Sequence, residues 1–204
     1  MRGRLITIEG LDGAGKTTLC AGLTQALPDA RLLREPGGVE LSERIRDLVK
    51  DPALAVDPRA EALLYAAARA QLVQERLEPL VAAGATGLRD RFTDSSLAYQ
   101  GAGRALGVEE VRAINRFATG GRVPELTLLL RISPAAGRAR QDGRPGDADR
   151  LEREGEGFFA AIAAAYDELA RAEPARFFVI DAEQPAADVL AAALSAVDAH
   201  APRD

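Results

Sequence analysis

The residues with the plainest chemistry lie near the N-terminus, where Gly10-Leu11-Asp12-Gly13-Ala14-Gly15-Lys16-Thr17 satisfies G-x-x-x-x-G-K-[ST]. Glycines at this spacing permit backbone conformations that aim successive N–H groups at phosphate oxygens. A helix opening at the end of the turn adds the positive end of its dipole. Lys16 can reach the outer phosphates of a nucleotide, and the Thr17 hydroxyl can ligate Mg²⁺. Lysine occurs only at Lys16 and Lys50, the other basic side chains being arginine, so a lysine in the required place is more informative than an arginine would be.

Two further groups have suggestive spacing. Asp90-Arg91-Phe92 follows a candidate strand, and strand C-termini in open parallel sheets line the ligand crevice. An Asp there can hold Mg²⁺ through water and an Arg can bridge two phosphate groups; a surface ion pair is the alternative. Tyr65 and Arg69 are four apart and project from one helix face, where a ring could stack on a base and the guanidinium could donate to its acceptor edge. Taken alone, those two fit core packing for Tyr65 and a solvated Arg69 at least as well.

Composition narrows the chemistry. The chain has 204 residues, 47% apolar and 28% charged, with a single cysteine, Cys20, and a single histidine, His200. That excludes an internal disulfide and a zinc cage, and argues against histidine general-base catalysis. Catalysis must then rest on Lys, Arg, Asp, Glu, backbone amides or a hard metal. A net charge of −5 and 4% aromatic residues argue against a dedicated nucleic-acid binder. No apolar run approaches the ~20 residues of a transmembrane helix. Arg2 and Arg4 imitate the start of a signal peptide, but Glu9 interrupts the apolar stretch behind them, and a cytoplasmic protein is expected.

The elements that must position these groups follow from periodicity. Residues 4–9, 31–34, 85–89, 126–132 and 176–180 read as strands, 85–89 weakly because of Gly87 and Arg89. Helices are expected over 15–27, 39–50, 58–83, 108–118, 154–172 and 186–199, with Asp57-Pro58 and Ser133-Pro134 as cap-plus-proline starts and Pro79 as a source of a bend. Residues 141–149 read as a polar, glycine-bearing loop. The alternation implies one α/β domain over residues 1–204, a mostly parallel sheet with helices on both faces.

In order, residues 9–18, 34–38, 64–71, 90–92, 95–101, 124–128 and 149–152 resemble the bacterial thymidylate kinases, a P-loop nucleoside monophosphate kinase family. The resemblance implies a five-stranded parallel sheet, a homodimer, and Mg²⁺-dependent transfer of the ATP γ-phosphoryl group to dTMP, giving dTDP for dTTP synthesis. It implies that Gly10 to Thr18 (Gly10, Leu11, Asp12, Gly13, Ala14, Gly15, Lys16, Thr17 and Thr18) hold the donor phosphates, with Thr17 and Asp90 at the metal. Asp12 would approach the acceptor sugar, Tyr65 would stack on thymine and Arg69 would donate to its 4-oxo group. Glu35 and Pro36 would shape the acceptor pocket, Ser96, Tyr99 and Gln100 would contact base and sugar, and Arg91 would bridge the phosphates. Because residues 11–14 contain no Arg, a lid over 138–150 should supply the catalytic cation, with Arg140, Arg144 and Arg150 as candidates and Arg144 preferred. Several positions depart from the pattern: Phe92 replaces a Tyr or His, Arg131 stands where an Asp is frequent, and Gly87-Leu88-Arg89 replaces an apolar run. A P-loop kinase for another nucleotide or nucleoside, and a binding protein without turnover, are the competing readings.

Overall fold

A computed structural model of the chain describes residues 3–143 and 149–200. Five strands form, β1 (Leu5–Gly10), β2 (Ala30–Arg34), β3 (Thr86–Asp90), β4 (Leu126–Arg131) and β5 (Phe177–Asp181). They pair in parallel in the order β2-β3-β1-β4-β5. β1 is buried along its whole length and β4 everywhere but Arg131, as expected for strands covered on both faces. The register sets Ile8 beside Asp90 and Gly10 beside Leu130, so the turn after β1 and the residues after β3 emerge side by side.

The helices are α1 (Lys16–Ala26), α2 (Glu40–Lys50), α3 (Pro58–Leu72), α4 (Glu78–Ala82), α5 (Thr93–Ser96), α6 (Val108–Thr119), α7 (Pro134–Asp142), α8 (Glu156–Ala172) and α9 (Ala186–Ala199). Asp57 and Ser133 cap α3 and α7 as their sequences imply, accepting from the N–H groups of Arg59 and Ala136. The helix expected over 58–83 is not continuous. A π-helical turn, Val73–Leu77, joins α3 to α4, and the Glu78 N–H donates to the Val73 carbonyl. The widened turn lies just before Pro79, whose ring would otherwise collide with the carbonyl four residues back. A second π-helical stretch, Leu97–Gly103, extends α5. Gln141 and Asp142, read from sequence as loop, complete α7.

β3 forms despite its poor propensities because its neighbours are shaped around it. A Cβ on Gly87 would lie 3.0 Å from Leu77 Cδ1, so the missing side chain lets the π-helical turn close on the sheet. Arg89 is fully buried, paired with Glu35 and stacked 5.1 Å over the Phe92 ring, which also faces Arg69 at 5.6 Å. Phe92 therefore acts as an apolar plate for two guanidinium groups. Arg131 pairs with Asp167 on the surface at 2.7 Å.

Candidate active site

A cavity of about 480 Å³ opens at the C-terminal ends of β1, β2 and β3. Its first wall is the turn after β1. Gly10 has φ 138°, and a Cβ there would lie 2.5 Å from the Leu130 carbonyl oxygen; a Cβ on Gly13 would lie 2.2 Å from that of Gly137. The turn thus fits between β4 and α7 only with glycine at both places. α1 begins at Lys16, so the N–H groups of its first turn lack intrahelical partners at the positive end of the dipole. Lys16 Nζ donates to the carbonyls of Leu11 (2.8 Å) and Gly10 (3.2 Å), with Asp12 at 3.8 Å. Burial, then the charge of Arg91, pushes Lys16 down to about 8 against the pull of Asp12, Asp90 and Glu9. Of residues 10–18, Asp12, Gly13, Gly15, Lys16 and Thr17 line this cavity. Gly10 and Leu11 border a separate one of about 330 Å³, Ala14 is buried in the core, and Thr18 is exposed on α1.

The second wall comes from the end of β3. Asp90 Oδ1 is buried without a hydrogen-bond partner among the described residues, on the same cavity as Thr17. Arg91 occupies the left-handed region at φ 70°, a conformation that persists only where its surroundings over-determine it. They do: its N–H donates to the Ile8 carbonyl, and its guanidinium reaches the Gly10 carbonyl (3.1 Å), Ser95 Oγ (3.0 Å), Asp12 Oδ1 (2.5 Å) and Tyr99 Oη (3.0 Å). Glu9, fully buried beneath, accepts from the Phe92 N–H at 2.7 Å and from the hydroxyls of Ser95 and Tyr166. The two acids differ in kind. Burial and then Asp94 raise Glu9 above the usual carboxylate range, whereas burial of Asp12 is outweighed by Arg91, Lys16 and the Tyr99 hydroxyl, which hold that carboxyl well below it.

The third wall is α3. Tyr65 and Arg69 both line the cavity, and Arg69 is buried rather than solvated. Arg69 donates through Nε to Glu35 (2.6 Å), through Nη1 to Ser96 Oγ (2.9 Å) and Asn115 Oδ1, and through Nη2 to the Phe92 carbonyl (3.0 Å). A guanidinium has five N–H groups, so one Nη2–H is left without a protein acceptor among the described residues. Glu35, Pro36, Ser96, Tyr99 and Gln100 line the same cavity.

The lid residues divide. Arg144 lies outside the described residues. Arg150 does not line the cavity; its Nη2 pairs with Glu61 at 2.6 Å and its Nε donates to the Val49 carbonyl at 3.0 Å. Arg140 donates to the Ala182 carbonyl (2.9 Å) and reaches that of Gly13 (3.5 Å). Sequence reasoning missed Arg46, which lines the cavity from α2 and donates to the Pro36 carbonyl at 2.8 Å rather than to a carboxylate. It follows Ile45 and stands four residues after Ser42, both on the buried face of α2, and that spacing was the available signal.

A glycine turn for phosphates serves many ATPases. This one faces, across the same cavity, cations from two other elements and an aromatic–guanidinium pair suited to a planar base. That layout defines a P-loop nucleotide kinase. The family model for thymidylate kinase matches residues 8–193. Similar proteins include the thymidylate kinases of Lactobacillus helveticus (strain DPC 4571), 44% identical with 99% of each chain covered, and of Deinococcus radiodurans, 48% identical over 90% of this chain and 91% of the relative. That of Geobacillus sp. (strain WCH70) is 43% identical over 97% of both. The chain belongs to the thymidylate kinase family and is a phosphotransferase.

Proposed function

We propose that this chain transfers the γ-phosphoryl group of ATP to dTMP, giving dTDP for dTTP synthesis, with the whole chain working as one domain and residues 138–150 as its lid. The observation that carries the reading is the buried Arg69, four of whose N–H groups are spent on protein acceptors while the fifth remains for a ligand in the cavity that also holds Lys16 and Tyr65. A 4-oxo group accepts from that N–H; a 4-amino group presents a donor to a donor.

The chemistry needs little from the protein beyond position and charge. A phosphate oxygen of dTMP attacks the γ-phosphorus as the β–γ bridging P–O bond breaks, and ADP leaves with the electron pair. The acceptor phosphate is already largely ionised near neutral pH, so no base is required, in keeping with a site that has no histidine. Lys16 and the first N–H groups of α1 hold the donor phosphates. Arg91 bridges donor and acceptor, and Arg46 and the lid arginine Arg144 add positive charge around the transferred group. Asp12, held ionised, accepts from the acceptor sugar. Mg²⁺ fits the donor set: Asp90 Oδ1 is a buried carboxylate oxygen with no hydrogen-bond partner among the described residues, and Thr17 offers a hydroxyl on the same cavity. Bound there, the ion would neutralise charge on the donor phosphates. The protein acts in the cytoplasm without a nucleic-acid partner and pairs with a second copy; Phe117 on α6, 92% exposed, is the apolar surface such pairing would cover.

The test is an acceptor panel at saturating ATP and Mg²⁺. dTMP should drive ADP release and appear as dTDP far faster than dCMP or no acceptor; equal release in all three would contradict the reading.

A further inference from the structure

We infer that Glu61 is a positioning residue that fixes which end of the Gln100 amide faces the acceptor base. The inference rests on dTMP being that acceptor.

Glu61 lies in the first turn of α3, four residues before Tyr65 and eight before Arg69, with no exposed surface. Its Oε1 receives Gln100 Nε2 at 2.8 Å and Arg104 Nε at 3.4 Å; its Oε2 receives Arg150 Nη2 at 2.6 Å and Arg104 Nη2 at 3.1 Å. Every group that touches it is a donor, and a carboxylate between two guanidinium groups has only lone pairs to offer. The two ends of a glutamine amide are nearly the same in shape, so the chemistry of the neighbour decides its orientation. Here the decision is forced: Gln100 must turn its NH₂ to Glu61. The carbonyl Oε1 is the end left over, on a side chain that is 2% exposed and lines the cavity.

The consequence is a pattern of two unlike groups. Arg69 offers a donor, and Gln100, oriented by Glu61, offers an acceptor. Ser96, which accepts from Arg69, precedes Gln100 by four residues in the same helical segment, so the two groups belong to one wall. Thymine presents the complement, a 4-oxo acceptor beside an N3–H donor. Cytosine presents a 4-amino donor beside an N3 acceptor and is mismatched at both points. Reversal of the Gln100 amide would put two donors on the wall and halve that discrimination. Arg104 and Arg150 both donate to Glu61, which places Arg150, expected in the lid's catalytic set, on the base-reading side of the site.

The experiment compares wild type, Glu61→Gln, Glu61→Asp and Gln100→Leu, measuring kcat/KM for dTMP and dCMP at saturating ATP, KM for ATP, and the melting temperature. Glu61→Gln frees the amide to present either end. It should lower the dTMP:dCMP ratio at least about tenfold, through a raised KM for dTMP, with KM for ATP unmoved. Gln100→Leu leaves Glu61 with both arginines and should lower the ratio likewise, because the selectivity passes through that amide. If Glu61→Gln does not fold, Glu61→Asp is read in the same way, since it keeps the charge for Arg104 and Arg150 and withdraws it from Gln100 by one methylene. A folded position-61 variant with an unchanged ratio, or one that loses dTMP and dCMP turnover in equal proportion, overturns the inference. A wild type indifferent to the base overturns the acceptor assignment, and the inference with it.

Discussion

Lys16 shows how the environment of one residue sets a measurable pH dependence. Burial and Arg91 bring its ammonium down to about 8, so in the free protein it carries its charge below that pH and loses it above. Polyphosphate favours the charged form. ATP binding should therefore be independent of pH below about 8 on this residue's account, and weaken by up to about tenfold per unit above, with proton uptake visible by calorimetry in buffers of different ionisation enthalpy. Affinity that strengthened from pH 8 to 9.5 would refute this. Lys16→Ala should lower kcat by about two orders of magnitude or more while circular dichroism and melting stay near wild type, because Nζ bonds to loop carbonyls at the cavity wall. The turn of Gly10 to Thr17 was legible in the sequence because spacing alone specifies its chemistry. Arg46 was not, since one arginine among many becomes visible only when the helix that turns it inward is known. Arg150 was expected as a candidate lid cation; its pairing with Glu61 depends on a tertiary contact with α3 that no local pattern records.

At the scale of elements, β3 is the informative case. Its residues read as a poor strand, yet it forms, because Gly87 admits Leu77 and because Glu35 and Phe92 receive Arg89. Propensity describes a half-buried pleated surface, and here packing partners override it. The arrangement has a cost: Arg89 Nε and Nη1 are buried without hydrogen-bond partners among the described residues, and burial brings this guanidinium down to about 9. Arg89→Met would remove those orphaned groups while Glu35 keeps Arg69 as its counter-charge. Urea unfolding should show a change between neutral and about 2 kcal/mol more stable. A loss of about 3 kcal/mol or more would mean that Arg89 is indispensable to the buried Glu35. The break between α3 and α4 was legible only as far as Pro79; that the strain is relieved upstream, in a π-helical turn, depends on how the helix packs on β3.

For the whole molecule, the alternation of strands and helices was enough to announce a parallel sheet, but not its order, since nothing in a strand's own sequence names its neighbours. The order matters because it brings the ends of β1 and β3 together and makes one cavity from α1, α2, α3 and residues 90–100. Pairing of two copies is tested by sedimentation: wild type should run as a dimer, and Phe117→Glu should shift it toward monomer with an unchanged melting profile of the isolated fold. The most direct measurement of the account is a crystal soaked with ADP, Mg²⁺ and dTMP together. Density for the ADP phosphates against residues 10–17, with the pyrimidine of dTMP stacked on Tyr65 and its 4-oxo group within hydrogen-bond distance of Arg69 Nη2, is the predicted result. An empty glycine turn, or a pyrimidine seated away from α3, would contradict it.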